Sequence, residues 1–141
     1  MAMSYAILPD RDVVLIRYWG HATVAETLDA LHAYLDHPDY RPGQKQFFDV
    51  RDVTSVDNDY LEFFRMQGEM VETYGTAPHD QLAVFLVASP AGREMARRAK
   101  NSWSAQGRVK ITVCEDMEDA LGVLGVPDLQ RELIKIGGLP G

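Results

Sequence analysis

The residues of this sequence best suited to metal or acid–base chemistry lie between positions 49 and 59, which read DVRDVTSVDND. Asp52, Asp57 and Asp59 could coordinate a divalent cation, because hard cations prefer carboxylate oxygens. Their spacing matches no standard cation-binding loop, and acidic residues are common throughout a chain of net charge −7. Acids and amides are also typical of turns and helix N-termini, where they accept backbone N–H bonds. We therefore predict no metal site in this segment.

The same segment offers carboxylates for general acid–base catalysis. Asp49 or Asp57 could act as a general base, as could one of the four histidines. However, the sequence contains no HExxH, G-x-S-x-G or GK[ST] motif. We therefore predict no catalytic residue, no cofactor and no enzyme activity, and an enzyme that uses Asp49 or Asp57 remains an alternative. Arg51 could contact a ligand, or it could form an ion pair with Asp49 or Asp52.

A second polar group, at positions 89–93, reads SPAGR. Ser89 before Pro90 is typical of an N-cap followed by the first residue of a helix. Free backbone N–H groups at a helix N-terminus can bind an anion, and Gly92 and Arg93 would favour this. The alternative is ordinary helix capping, with no ligand.

The charge of the chain is unevenly distributed. From Pro90 to Lys110 six residues are basic and one, Glu94, is acidic, so this stretch carries +5 and the rest of the chain −12. Arg93, Arg97 and Lys100 are spaced to share one helix face. This face could bind an acidic partner or an anionic head group, or it could simply be solvated.

Composition limits the class of protein. The 141 residues are 46% apolar and 25% charged, which is typical of a globular domain, and we predict one domain over residues 1–141. The acidic balance argues against nucleic-acid binding. Cys114 is the only cysteine, so no internal disulfide can form. No stretch resembles a signal peptide or a membrane span, and we predict a cytoplasmic protein.

The alternation of apolar and turn-forming segments predicts a mixed, mostly parallel five-stranded α/β sheet. It starts with a β-hairpin, and four to five helices cover it in the order β-β-α-β-α-β-α-β-α. The predicted strands are residues 5–8, 13–19, 46–50, 82–87 and 109–113. The predicted helices start after the capping box Thr23–Glu26, near Asp57, at Pro90, after Asp116 and at Pro127, and the first of them would bury Val24, Leu28, Leu31 and Leu35.

Ligands of open α/β sheets bind beyond the carboxyl ends of the parallel strands. We therefore expect three loops to meet there, at residues 51–59, 88–93 and 114–118. The direction of the second strand is left open, so Trp19 and His21 are not assigned to this edge. Self-association through the apolar hairpin of residues 5–19 would give a homodimer.

The segment Phe47–Asp59 resembles the STAS (SpoIIAA-like) domain, the fold of bacterial anti-sigma-factor antagonists. In that family an apolar strand ends in Asp, a D-hydrophobic-x-x-hydrophobic-T segment follows, and an Asp-Ser pair opens the next helix. The matching residues here are Asp49, Val50, Val53, Thr54 and Asp57. The stretch from Ala120 to Gly125 also resembles the carboxyl-terminal part of STAS and SEC14-type proteins.

The resemblance implies a non-enzymatic regulatory or protein-interaction module. Asn58 stands where phospho-regulated antagonists carry a phosphorylated Ser or Thr, and an amide cannot be phosphorylated. A protein partner, or a second copy of the chain, would bind at a surface drawn from Arg51, Asp52, Thr54, Asp57, Asn58, Asp59, Ser89, Gly92, Arg93 and Arg97. The SEC14-type side of the resemblance implies an alternative, a small apolar or anionic ligand.

Overall fold

The computed structural model describes residues 3–41, 43–57, 81–103 and 109–126. Two of the predicted helices, one near Asp57 to Gly75 and one beginning at Pro127, lie outside these residues. Asn58 and Asp59 also lie outside them, so their predicted roles stay predictions.

The described chain forms one mixed sheet with helices on both faces. Its strands are β1 (Met3–Leu8), β2 (Val13–Ala22), β3 (Lys45–Val56), β4 (Gln81–Leu86) and β5 (Val109–Cys114). Its helices are α1 (Val24–Leu35), α2 (Pro90–Trp103) and α3 (Met117–Leu124). The strands follow one another across the sheet in sequence order, and only the β1–β2 pair is antiparallel. The predicted mixed α/β sheet with an initial hairpin is therefore confirmed.

Two apolar layers form on the two faces of the sheet. The face under α3 buries Phe47 and Leu86. The face under α1 and α2 buries Val50, Val53 and Phe85. No helix in the described part of the chain is long and apolar enough to cross a membrane.

Short-range hydrogen bonds begin and orient α1. The Thr23 hydroxyl accepts the Glu26 N–H at 3.1 Å and donates to the Glu26 carboxylate at 2.9 Å. The predicted start is therefore correct, although Tyr34 takes the buried place that was expected for Leu35. On the same face of the sheet Tyr18 bonds to the Thr27 hydroxyl at 2.7 Å. Burial raises the pKa of Tyr18 to about 12, so the phenol stays protonated at neutral pH and fixes the helix to β2.

The prediction that β3 ends at Val50 and gives way to a loop was wrong. The strand continues to Val56, and it contains one extra residue between Asp49 and Asp52 relative to β2. A β-bulge of this kind lets two side chains three positions apart point to the same face. Val50 and Val53 are both fully buried against the same layer. Arg51, Asp52 and Thr54 therefore belong to a strand.

β2 is also longer than predicted. The predicted strand covered residues 13–19 and so stopped before Gly20, but the observed strand runs to Ala22. Gly20 has a φ of +65°, a conformation that side chains with a Cβ rarely adopt. The glycine thus changes the course of the strand without ending it, and Trp19 and His21 remain within the sheet.

Candidate functional site

The carboxyl ends of four strands meet at one edge of the sheet, because β2, β3, β4 and β5 are parallel. Trp19 and His21 were left unassigned, and the structure places both at this edge. The His21 ring Nδ1 and the Ser55 hydroxyl lie 2.7 Å apart on adjacent strands. The sequence held a signal for this arrangement: the capping box follows β2 directly, which is typical of a β-α-β unit with parallel strands.

A buried ion pair lies just before this edge, on the α3 face of β3. Asp49 is 1% exposed, and its carboxylate accepts the Arg51 side chain at 3.0 and 3.1 Å and the Arg51 backbone N–H at 3.1 Å. Charge-assisted bonds in such a fork geometry are among the strong ones in proteins. Of the two partners considered for Arg51, the one observed here is therefore Asp49.

Asp52 pairs with a different arginine. Arg17 on β2 donates to Asp52 at 3.0 Å, and the Asp52 side chain is 55% exposed. The Arg17 guanidinium carbon also lies 5.4 Å from the centre of the Trp19 ring, within the range of a cation–π contact. Sequence reasoning missed Arg17, although it is the one charged residue in the apolar segment VVLIRYW.

The N-terminus of α2 is capped and packed against β3. The Gly92 N–H donates to the Ser89 hydroxyl at 3.0 Å, and that hydroxyl donates to the Val53 carbonyl at 2.6 Å. A Cβ built on Gly92 would lie 2.5 Å from the carbonyl oxygen of Val50. These contacts match the capping alternative, and they join the start of α2 to the bulged part of β3.

The predicted basic face of α2 is exposed, but acidic side chains partly neutralise it. Arg93 bonds to Glu115 after β5, and Arg97 and Arg98 both bond to Glu94. The side chains of Arg93 and Arg97 are 49% and 60% exposed. The positive field of this face is therefore weaker than the residue count suggests.

The ion pairs of Glu94 with Arg97 and Arg98 make the stability of the protein pH-dependent in the acid range. Hydrogen bonds from Arg97, and then Arg98, lower the pKa of Glu94 from 4.5 to about 2. A lowered folded-state pKa stabilises the fold above the unfolded-state value, and this contribution disappears as the pH falls from 4.5 towards 2. Because Glu94 is partly exposed, we expect Glu94→Gln to cost less than about 1 kcal/mol at pH 7.

Urea unfolding of both proteins at pH 7 and pH 2 measures this difference. The gap in unfolding free energy between wild type and Glu94→Gln should be much smaller at pH 2 than at pH 7. A gap of equal size at both pH values would contradict the role of the carboxylate charge.

Two hydrogen bonds to the backbone of Asp57 hold the end of β3 in place. Its N–H donates to the Ala22 carbonyl at 2.9 Å, and its own carbonyl accepts Arg98 at 2.8 Å. Thr54 and Ser55, just before it, are exposed. Arg98 thus links α2 to the end of β3. Within the described ranges, no three His, Cys, Asp or Glu side chains are grouped to hold a metal ion.

Comparison with known proteins identifies the fold. No protein-family model matches the chain, and no curated protein matches it. Among solved structures, an uncharacterised protein of the DUF3478 family from Shewanella loihica PV-4, with a SpoIIAA-like fold, matches with a TM-score of 0.58. The alignment covers 87% of this chain and 94% of that one. The chain has a SpoIIAA-like fold. At 12% sequence identity the likeness concerns the fold alone.

Asp49 and Asp57 lie at the two ends of the bulged half of β3, in a sheet of SpoIIAA-like fold. The resemblance drawn from the Asp49, Val50, Val53, Thr54 and Asp57 pattern is therefore confirmed at the level of the fold. The bulge explains the pattern physically, since it gives Val50 and Val53 the same buried face.

Proposed function

We propose that this protein is a non-enzymatic, STAS-type regulatory module that binds a protein partner at the carboxyl edge of β3. The binding surface would combine Arg51, Asp52, Thr54 and Asp57 with Asn58 and Asp59. Asn58 cannot be phosphorylated, so the interaction would not be switched at that position. We place the module in the cytoplasm of a bacterium, in keeping with its single, unpaired cysteine.

The observation that supports this proposal is that both backbone polar groups of Asp57 form hydrogen bonds. Its N–H and its carbonyl are held by β2 and α2 respectively. A binding edge fixed in this way loses little conformational freedom when a partner binds. The polar side chains just before it, Asp52, Thr54 and Ser55, are exposed. Asp52 also pairs with Arg17, and the Ser55 hydroxyl lies 2.7 Å from the His21 ring.

Two alternatives have less support. The enzyme alternative uses Asp49 or Asp57 as an accessible base, and of these two the Asp49 carboxylate is buried and bonded to Arg51. A small anionic ligand would need the polar groups of Arg51, Ser89 and Arg93. These groups are bonded to Asp49, to the Val53 carbonyl and to Glu115.

Capture of a partner from the cells in which the protein occurs tests the proposal. Tagged wild-type chain should retain a protein partner in stoichiometric amount, and Asp57→Ala or Asn58→Ala should reduce its retention at least about tenfold, a loss of roughly 1.4 kcal/mol. Asp29→Ala is the matched control, because Asp29 is an exposed acid on α1, in a different element.

Retention by both edge variants at the wild-type level would contradict the proposal, and so would the absence of any partner. Mass spectrometry of the purified protein under native conditions provides the second readout. A co-purified small molecule would favour the ligand-binding alternative.

A further inference from the structure

Among the described residues, the outer edge of β1 has no pairing strand. β1 pairs with β2 over all six residues from Met3 to Leu8, in a register without a bulge. It is the first strand of the sheet, and no strand in the described ranges pairs with its other side. A regular strand of this kind presents a row of backbone donors and acceptors that another strand can use.

β1 lacks the features with which proteins usually block such pairing. Its sequence, MSYAIL, contains no charge, no proline and no glycine. Natural edge strands are protected by lysine or other charged residues, proline or bulges. The opposite edge strand, β5, carries the exposed Lys110 and is followed at once by Glu115 and Asp116. The two edges therefore differ, and only the β5 edge is charged.

The helix behind β1 holds the strand in a conformation ready to pair. The Tyr5 ring contacts the Tyr34 ring of α1 edge-to-face at 6.4 Å, and it contacts His37 at 6.5 Å. Tyr5, Ala6, Ile7 and Leu8 are each only partly buried. A strand that is already ordered in this way loses little further conformational entropy when it pairs. Its partly exposed apolar side chains would also become more buried.

The absence of charge on β1 suits a second copy as the occupant, because that copy presents the same uncharged strand. Each copy carries −7, so two copies repel each other wherever acidic surfaces meet. Repulsion between surface charges acts within about a Debye length, roughly 8 Å at physiological salt. An uncharged edge lets two copies approach with the least repulsion. Identical strands can also pair antiparallel about a two-fold axis, so that each contact is made twice.

We propose that two copies associate through β1 as an antiparallel pair, which joins their sheets into one continuous sheet. Side chains must stay on their own face across the junction, so the two-fold axis passes between the two copies of a residue at the strand centre, Tyr5 or Ala6. The interface is independent of the carboxyl edge of β3, and a dimer could still bind a partner there.

The mass of the full-length chain in solution tests this proposal. Sedimentation equilibrium should give twice the 15.8 kDa of one chain, with little dependence on salt. Ser4→Lys adds a charge at an exposed β1 position and should raise the dimer dissociation constant at least about tenfold. Ser4→Ala should leave it unchanged. Val113→Lys is the matched control, because it puts the same charge on β5 at a residue that is 40% exposed.

Circular dichroism and thermal unfolding establish that each variant is folded before its mass is compared. Amide hydrogen exchange in residues 3–8 should slow as the wild-type concentration rises. A mass of one chain at every concentration would overturn the proposal. A dimer that Val113→Lys dissociates and Ser4→Lys does not would overturn it as well, since the contact would then be at β5.

Discussion

Replacement of Gly92 by alanine is expected to destabilise the protein by about 2–3 kcal/mol. The added Cβ would lie 2.5 Å from the Val50 carbonyl oxygen and 3.1 Å from the Ser89 hydroxyl. Backbone atoms cannot yield to this contact, so α2 would have to move away from β3. An alanine inside a helix normally stabilises by about 1 kcal/mol relative to glycine, so the expected sign is the reverse of the usual one.

Gly122 in α3 provides the matched control. Apart from its chain neighbours and the backbone of its own helix, a Cβ added there would meet no atom of the described residues within 4 Å. Gly122→Ala should therefore stabilise the protein by about 0.5–1 kcal/mol. Urea unfolding of both variants, followed by circular dichroism, measures the two effects. If both variants gained stability, the close packing of α2 on β3 would be wrong.

Replacement of Asp49 by alanine is expected to cost about 3 kcal/mol of stability, at the lower end of the range for breaking a buried ion pair. The change removes a carboxylate that is 1% exposed, and it leaves the Arg51 guanidinium, which is 22% exposed, without this partner. The same carboxylate also accepts the Arg51 backbone N–H next to the bulge of β3. Unfolding in urea, monitored by fluorescence and circular dichroism, gives the loss.

Asp52→Ala is the control for the Asp49 variant. Its partner Arg17 is also an arginine on the same sheet, but the Asp52 side chain is 55% exposed. An ion pair open to solvent contributes little, so this change should cost less than about 1 kcal/mol. Equal losses in the two variants would show that burial does not set the strength of the Asp49 pair.

These two predictions concern the same part of the molecule. On one face of the sheet, Gly92 and Ser89 contact the bulged half of β3 and bring α2 against it. On the other face, the Asp49 carboxylate accepts a hydrogen bond from Arg51 of the same strand. If both changes destabilise as expected, the edge proposed to bind a partner is held from both faces of the sheet.

Features set by residues close together in the chain could be predicted from the sequence. Thr23, Ser89 and Asp116 each cap a helix, as their residue types and spacing indicate. The strand segments and their order were also predictable, because apolar runs between turn residues mark them. Each of these signals depends on a few neighbouring residues.

The candidate site depends mainly on pairs that are distant in sequence. The Arg17–Asp52 and His21–Ser55 contacts join residues 35 and 34 positions apart. They exist only because β2 runs parallel to β3 and because β3 carries extra residues in that register. The sequence considered alone therefore placed a loop after Val50, because the continuation of β3 to Val56 depends on its pairing with β2.

The sequence by itself thus determined the fold class, the helix caps and the absence of an internal disulfide. Tertiary structure alone decided that residues 51–56 are strand, that Arg51 pairs with Asp49, and that Gly92 must be a glycine. The physical reason is that caps and apolar periodicity are local interactions. Register, burial and close packing are set by chain segments that meet only after folding.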